Sequence, residues 1–154
     1  MKNPLRLFVP LIAFIVIMPF SGYSQEKYSP KPNEEIYGTW TNADQLSYFQ
    51  KSVNFPGGYK SYWRMADSAP SSEGVEEIVS KWTDSEGNVW YKTYATGISG
   101  WQKGNMSQVL MKISKSGTVR EFVYAMVTSF DPGDFPTKID SEDSTYEISY
   151  RAKE

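Results

Sequence analysis

QVLMKISKSGTVREFVYAMV, residues Gln108 to Val127, decides the fold. In its first part Val109, Met111 and Ile113 alternate with Gln108, Leu110, Lys112 and Ser114, the period of two that a strand imposes by sending successive side chains to opposite sides. In its second part Val119, Glu121, Val123, Ala125 and Val127 alternate with Arg120, Phe122, Tyr124 and Met126. Between them KSGT (Lys115 to Thr118) supplies a glycine where a tight hairpin needs positive φ. The stretch is therefore predicted to be an antiparallel hairpin. Both faces of its second strand are mostly apolar. Such a strand is either covered on both sides, or turns one side to a cavity and the other to a partner.

The pattern continues in both directions. From Ile36 to the C-terminus no long window carries apolar residues at helical spacing, whereas short runs rich in Val, Ile, Tyr, Trp, Phe and Thr recur between turn residues. Strands are expected at about 36–42, 46–55, 59–66, 75–83, 88–97, 107–114, 118–128 and 145–151. FPGGY (Phe55 to Tyr59) and DSEGN (Asp84 to Asn88) are again hairpin turns. Longer connections fall at Asp67 to Gly74, Ile98 to Asn105 and the acidic stretch Ser129 to Ser144. Sequential antiparallel strands of this number are expected to close into an all-β, eight-stranded antiparallel up-and-down β-barrel, because closure removes the unpaired edges. A sandwich would need longer crossing connections. An eight-stranded barrel has an interior just wide enough for side chains or one small ligand.

Upstream, Lys2 and Arg6 precede a mostly apolar run from Leu7 to Phe20, and SGYSQ follows with Gly22 and Ser24 spaced as a signal-peptidase site requires. The run is shorter than the roughly 20 residues of a spanning helix, and Pro10 and Pro19 interrupt it. Residues 1–24 are expected to be a secretory signal peptide, 25–35 an extended linker carrying Pro30 and Pro32, and 36–154 the barrel domain. The product is expected to be exported, to the periplasm or the extracellular space, without stable membrane insertion.

Composition limits the chemistry. The chain of 154 residues has no cysteine and no histidine. Disulfides, thiol catalysis, the Ser/His/Asp arrangement and the commonest metal ligand are thereby excluded. Of 16 basic and 18 acidic residues, Lys2 and Arg6 lie in the leader, which leaves the remainder at a net charge of −4. That gives no basic face for a nucleic acid. Asp84, Glu86 and Asn88 sit in a hairpin too short for a calcium loop, and Asp140, Glu142 and Asp143 read as a solvated acidic loop. Glu76 and Glu77 point to opposite faces of one strand. No catalytic arrangement, metal site or cofactor is expected, and the protein is not expected to be an enzyme.

Aromatic residues make up 16% of the chain. Tyr and Trp join a large apolar area to a polar tip and so suit a half-wet pocket as well as a core. Trp63, Trp90, Trp101 and Tyr124 are the candidate ligand contacts. Packing is the competing role for the tryptophans, least so for Trp101, whose predicted loop flanks a barrel mouth.

IYGTWTN (Ile36 to Asn42) opens the first strand, and YEISYR (Tyr146 to Arg151) ends the last. A Gly-x-Trp at that place resembles the signature of the lipocalins and their calycin relatives, and the pattern across the chain is similar to small exported bacterial lipocalin-like domains. The resemblance implies that Gly38, Trp40 and Arg151 form a structural closure, with Trp40 across the closed end and Arg151 over its ring. The Thr-Asp-Tyr motif, the helix after the eighth strand and the disulfide of the larger lipocalins are missing, so none of their ligands carries over. GTWTN also looks like the first strand of avidins, which would give Asn42 and Ser47 roles toward biotin, but the later avidin strands have no counterpart. Two expectations follow. The first is a carrier of a small apolar or amphipathic molecule held in the barrel. The alternative is a non-enzymatic interaction or structural module whose barrel is filled with side chains.

Overall fold

Alternating strands joined by glycine turns fold next to one another, because each hairpin brings its neighbour into register before any long-range contact is made. The computed structural model describes residues 27–42, 50–63 and 70–153, with Trp63 described by its backbone alone. The strands are β1 Gly38–Thr41, β2 Gln50–Phe55, β3 Gly58–Trp63, β4 Ser72–Thr83, β5 Val89–Gly100, β6 Met106–Ile113, β7 Val119–Val127 and β8 Glu147–Arg151. They close in the order β1 to β8, every neighbouring pair antiparallel, into an up-and-down barrel. Closure is made where β8 meets β1, through Trp40↔Arg151 and Thr41↔Tyr150. Residues 1–26 and 43–49, which carry the expected leader and Ser47, lie outside the described residues.

Parts of two expected connections, 72–74 and 98–100, belong to strands instead. β4 begins at Ser72 and β5 runs on to Gly100, because their ends pair through Ser72↔Gly100 and Glu73↔Ser99. Irregularities at Glu73/Gly74 and Ile78/Ser80 shift the register of β4 against β5. The second shift brings Lys81 opposite the buried Tyr91, so that its ammonium reaches Glu34 and Glu35.

The interior is divided along the barrel axis. Toward the end where β1 begins, Ile36, Trp40, Ile78, Tyr91, Val109, Met111 and Ile113 form the buried core. The segment ahead of β1 crosses this end: the Trp40 indole N–H donates to the Ile36 carbonyl at 2.9 Å, and Tyr28 packs on the cluster. On the outer face of the barrel, the chain's own connection to β8 packs against β5 and β6. Phe130 and Phe135 stack on Tyr94 with centroids at 4.3 and 5.2 Å, and the Gln108 side chain pairs with both backbone groups of Asp131. Leu110 and Val123, partners across β6 and β7 on this same outward face, are buried. Full burial of each such side chain stabilises the fold by about 1.5–3 kcal/mol.

Candidate functional site

The strand period that sends Leu110 and Val123 outward sends Arg120, Phe122, Tyr124 and Met126 of β7 inward, with Ser107, Val109 and Met111 of β6 beside them. Above the Trp40 core these residues, with Asn54, Tyr59 and Glu76 from β2 to β4 and Glu147 from β8, line a cavity of about 230 Å³. A second space of about 420 Å³ adjoins it through Gln50, Ser52, Arg120, Tyr124 and Glu147. It lies beyond the short pairing of β1 with β8, between Trp40 on one side and Ile148 on the other.

The floor is built around one arginine. Arg120 donates from Nε to Ser149 Oγ, from Nη1 to Asn54 Oδ1 and from Nη2 to Ser52 Oγ, each at 2.9 Å. Its guanidinium lies 5.0 Å from the Trp40 ring and 5.3 Å from the Phe122 ring. Neutral acceptors hold this group in place. Burial accordingly pulls its pKa down to about 10, against the opposing fields of Glu76 and Glu147.

Two carboxyl groups share the floor, and they are held differently. Glu76 accepts from Thr93 Oγ1 at 2.9 Å and from Asn54 Nδ2 at 2.8 Å, one bond on each oxygen. Glu147 accepts no hydrogen bond and pairs with no cation in direct contact among the described residues; only the field of Arg120 acts on it. Burial pushes both carboxyls above the usual range, with hydrogen bonds and Arg120 opposing at Glu76 and Arg120 alone at Glu147. Polar groups withdrawn from water in this way favour their neutral form unless a partner arrives.

The mouth is shaped by the β5–β6 turn folding back over the barrel. Gly97 makes this possible: a Cβ there would stand 1.9 Å from the Gln102 carbonyl oxygen. Gln102 is thereby placed inside, where its Oε1 accepts from Tyr59 Oη at 2.7 Å and Ser72 Oγ at 3.2 Å. Trp101, 60% exposed, and Met126, 56% exposed, stand at the rim.

Of the candidate ligand contacts, Trp101 and Tyr124 line the cavity. Trp90 does not. It lies on the outer side of β5, stacked on Trp82 at 5.8 Å and donating its indole N–H to Asp84 Oδ2 at 2.8 Å. An even position on β5 faces away from Tyr91, Thr93 and Ala95, and alternation alone would have placed it there. The side chain of Trp63 lies outside the described residues. At the closed end Arg151 lies 4.3 Å from the Trp40 ring centroid and donates to the carbonyls of Gly117, Tyr37 and Glu35.

The sequence pattern did not single out Arg120, Glu76, Glu147 or Gln102 as cavity residues. Glu147 and Ser149 were accessible to it, since counting back in twos from Arg151 puts both on the face of β8 that turns inward. Asp84 accepts the backbone N–H groups of Glu86 and Asn88 and so closes its hairpin. Among the described residues no group of three carboxylates stands close enough to hold a metal ion. Comparison with protein-family models, curated proteins and solved structures gives no match to this chain.

Proposed function

We propose that this protein is an exported lipocalin-like carrier that holds a small amphipathic molecule in its barrel. The polar end of the guest rests on the floor around Arg120, and its apolar body lies along Met111, Phe122 and Tyr124 toward Trp101 and Met126. The observation that carries this reading is the unfilled interior above a polar, hydrogen-bonded floor. An eight-stranded barrel serving only as a surface module gains packing by filling that volume with side chains. Here the small side chains Ser107, Ser61 and Ala95 stand along the wall instead. The arrangement of Gly38, Trp40 and Arg151 supports the likeness to lipocalins, and the leader supports export.

Native mass spectrometry of the protein purified from its own host tests the proposal. The expected result is a one-to-one adduct on a chain beginning near Gln25. Ser107→Phe, which adds a ring inside the cavity, is expected to remove the adduct at a cost of about 1–3 kcal/mol of stability. A parent protein free of any adduct, and equally indifferent to added amphiphiles, would leave the filled-barrel module as the better account.

A further inference from the structure

The floor of the cavity carries one guanidinium and two carboxyl groups, and only one of the three is left without a partner. Arg120 spends its edge on Ser149, Asn54 and Ser52 and lies against the rings of Trp40 and Phe122. Glu76 has a donor on each oxygen. Glu147 has neither a hydrogen bond nor an ion pair among the described residues, yet it borders both the cavity and the space beside it.

We infer that the guest is a cationic amphiphile, a primary amine on an apolar body, whose ammonium group binds Glu147. This rests on the reading of the barrel as a carrier. Three head-group chemistries meet this floor differently. A carboxylate would stand beside the carboxyl groups of Glu76 and Glu147 and find each nitrogen of Arg120 already bound to a fixed acceptor, three of its five N–H donors in all. A neutral hydroxyl would satisfy one oxygen of Glu147 and leave its charge uncompensated in a site withdrawn from water. An ammonium supplies donors and the missing positive charge together, forming the short charge-assisted bonds that are roughly twice as strong as neutral ones. The rings of Tyr59, Phe122, Tyr124 and Trp101 on the wall add faces that attract a cation. The upward pressure on the Glu147 carboxyl agrees with this, since an empty floor favours taking up a proton and a bound ammonium removes the need.

Octylamine, octanoate and octanol share one tail and differ in the head group, so titrating the protein purified from its own host with each by calorimetry at neutral pH isolates the chemistry of the floor. The expected order is the amine first, by about tenfold over the alcohol, with octanoate weakest. Glu147→Gln is expected to erase the amine's advantage, and Glu147→Asp, which keeps the charge, to retain part of it. Glu77→Gln, on the outer side of β4, is expected to leave the order unchanged. If the alcohol or octanoate binds as well as the amine, or if Glu147→Gln keeps the preference while its thermal midpoint matches the parent's, the ammonium assignment falls and the carrier reading stands. Absence of binding by all three overturns both.

Discussion

Trp40 is the residue on which closure turns, because two guanidinium groups flank its ring. Arg120 approaches at 5.0 Å and Arg151 at 4.3 Å. Arg151 also ties β8 to two other pieces of chain, donating to Gly117 O of the β6–β7 turn at 2.8 Å and, in the segment ahead of β1, to Tyr37 O at 2.9 Å and Glu35 O at 2.6 Å. Gly38 leaves the space for this: its φ is +120°, and a Cβ there would stand 2.6 Å from Arg151 Nη1. The glycine beside the tryptophan therefore serves the arginine, with the ring a neighbour of both. Arg151→Ala is expected to cost about 2–4 kcal/mol, the sum of lost charge-assisted hydrogen bonds and cation–π contact. Arg151→Lys recovers only part, since an ammonium cannot fork to separate carbonyls while lying flat on an indole. Urea denaturation reads the cost. Affinity for a cavity ligand is expected to stay within twofold of the parent, and equal midpoints for Arg151→Ala and the parent would remove the closing role. Gly38, Trp40 and Arg151 were legible in the sequence because they fall at the ends of a strand pattern. Arg120 was not, since an arginine amid apolar neighbours on β7 looks like a solvated side chain until three acceptors from β2 and β8 surround it.

Among the elements, the segment ahead of β1 departs most from its composition. Pro30, Pro32 and a run of charges suggest an extended lead-in, but Glu34 is 3% exposed and anchors the segment across the closed end. Its carboxylate accepts from Tyr28 Oη at 2.6 Å, the Lys31 amide at 2.8 Å, Lys81 Nζ at 2.7 Å and Tyr91 Oη at 3.1 Å. Hydropathy cannot reveal a buried glutamate, because two of the four donors that make it buriable, Lys81 and Tyr91, are brought by β4 and β5 from far along the chain. Burial alone would raise the Glu34 pKa, and these hydrogen bonds outweigh it to hold the group at about 2. A carboxyl depressed in the folded state contributes stability that is complete above its unfolded value near 4.5 and is lost as pH falls through about 2. The expected consequence is a decline in denaturation midpoint between about pH 5 and pH 2 that is shallower in Glu34→Gln, with that variant less stable at neutral pH and converging on the parent in acid. Asp84, also held at about 2, and Asp140 and Asp143, lowered by hydrogen bonds of their own, contribute a decline common to both proteins, so the difference between the two curves reads Glu34 together with Glu35, which is lowered by the same Lys81 and Tyr91. Parallel curves across this range would show that the anchoring bonds do not favour the ionised form.

For the molecule as a whole, the proposed carrier function gives the two sides of the barrel wall separate tasks. Strand order and closure could be read from the chain because glycine hairpins fix sequential pairing, and sequential pairing leaves the barrel as the arrangement without free edges. What covers the outer face of β7 could not be read, because alternation shows that both sides are apolar without saying what lies on them. The cavity could not be read either, since it consists of volume that side chains leave empty. The connection to β8 packs on the outer face of the neighbouring β5 and β6, where Phe135 is buried against Tyr94 and Lys92 and Asp131 pairs with Gln108. The inner face opens at Trp101, which is mostly exposed and stands over the cavity. Removing each ring should therefore affect a different property. Phe135→Ala is expected to cost about 3–5 kcal/mol, as truncation of a buried phenylalanine does, and to leave octylamine affinity within about twofold of the parent. Trp101→Ala is expected to change stability by no more than about 0.5 kcal/mol, because little of the ring is buried, and to weaken octylamine severalfold by removing an aromatic face at the mouth. Paired thermal and calorimetric measurements on the two variants decide the matter. Should Phe135→Ala weaken binding as much as Trp101→Ala does, the wall would be transmitting changes from its outer side to its inner one, and separate tasks would give way to a barrel whose covering loop sets the shape of the cavity.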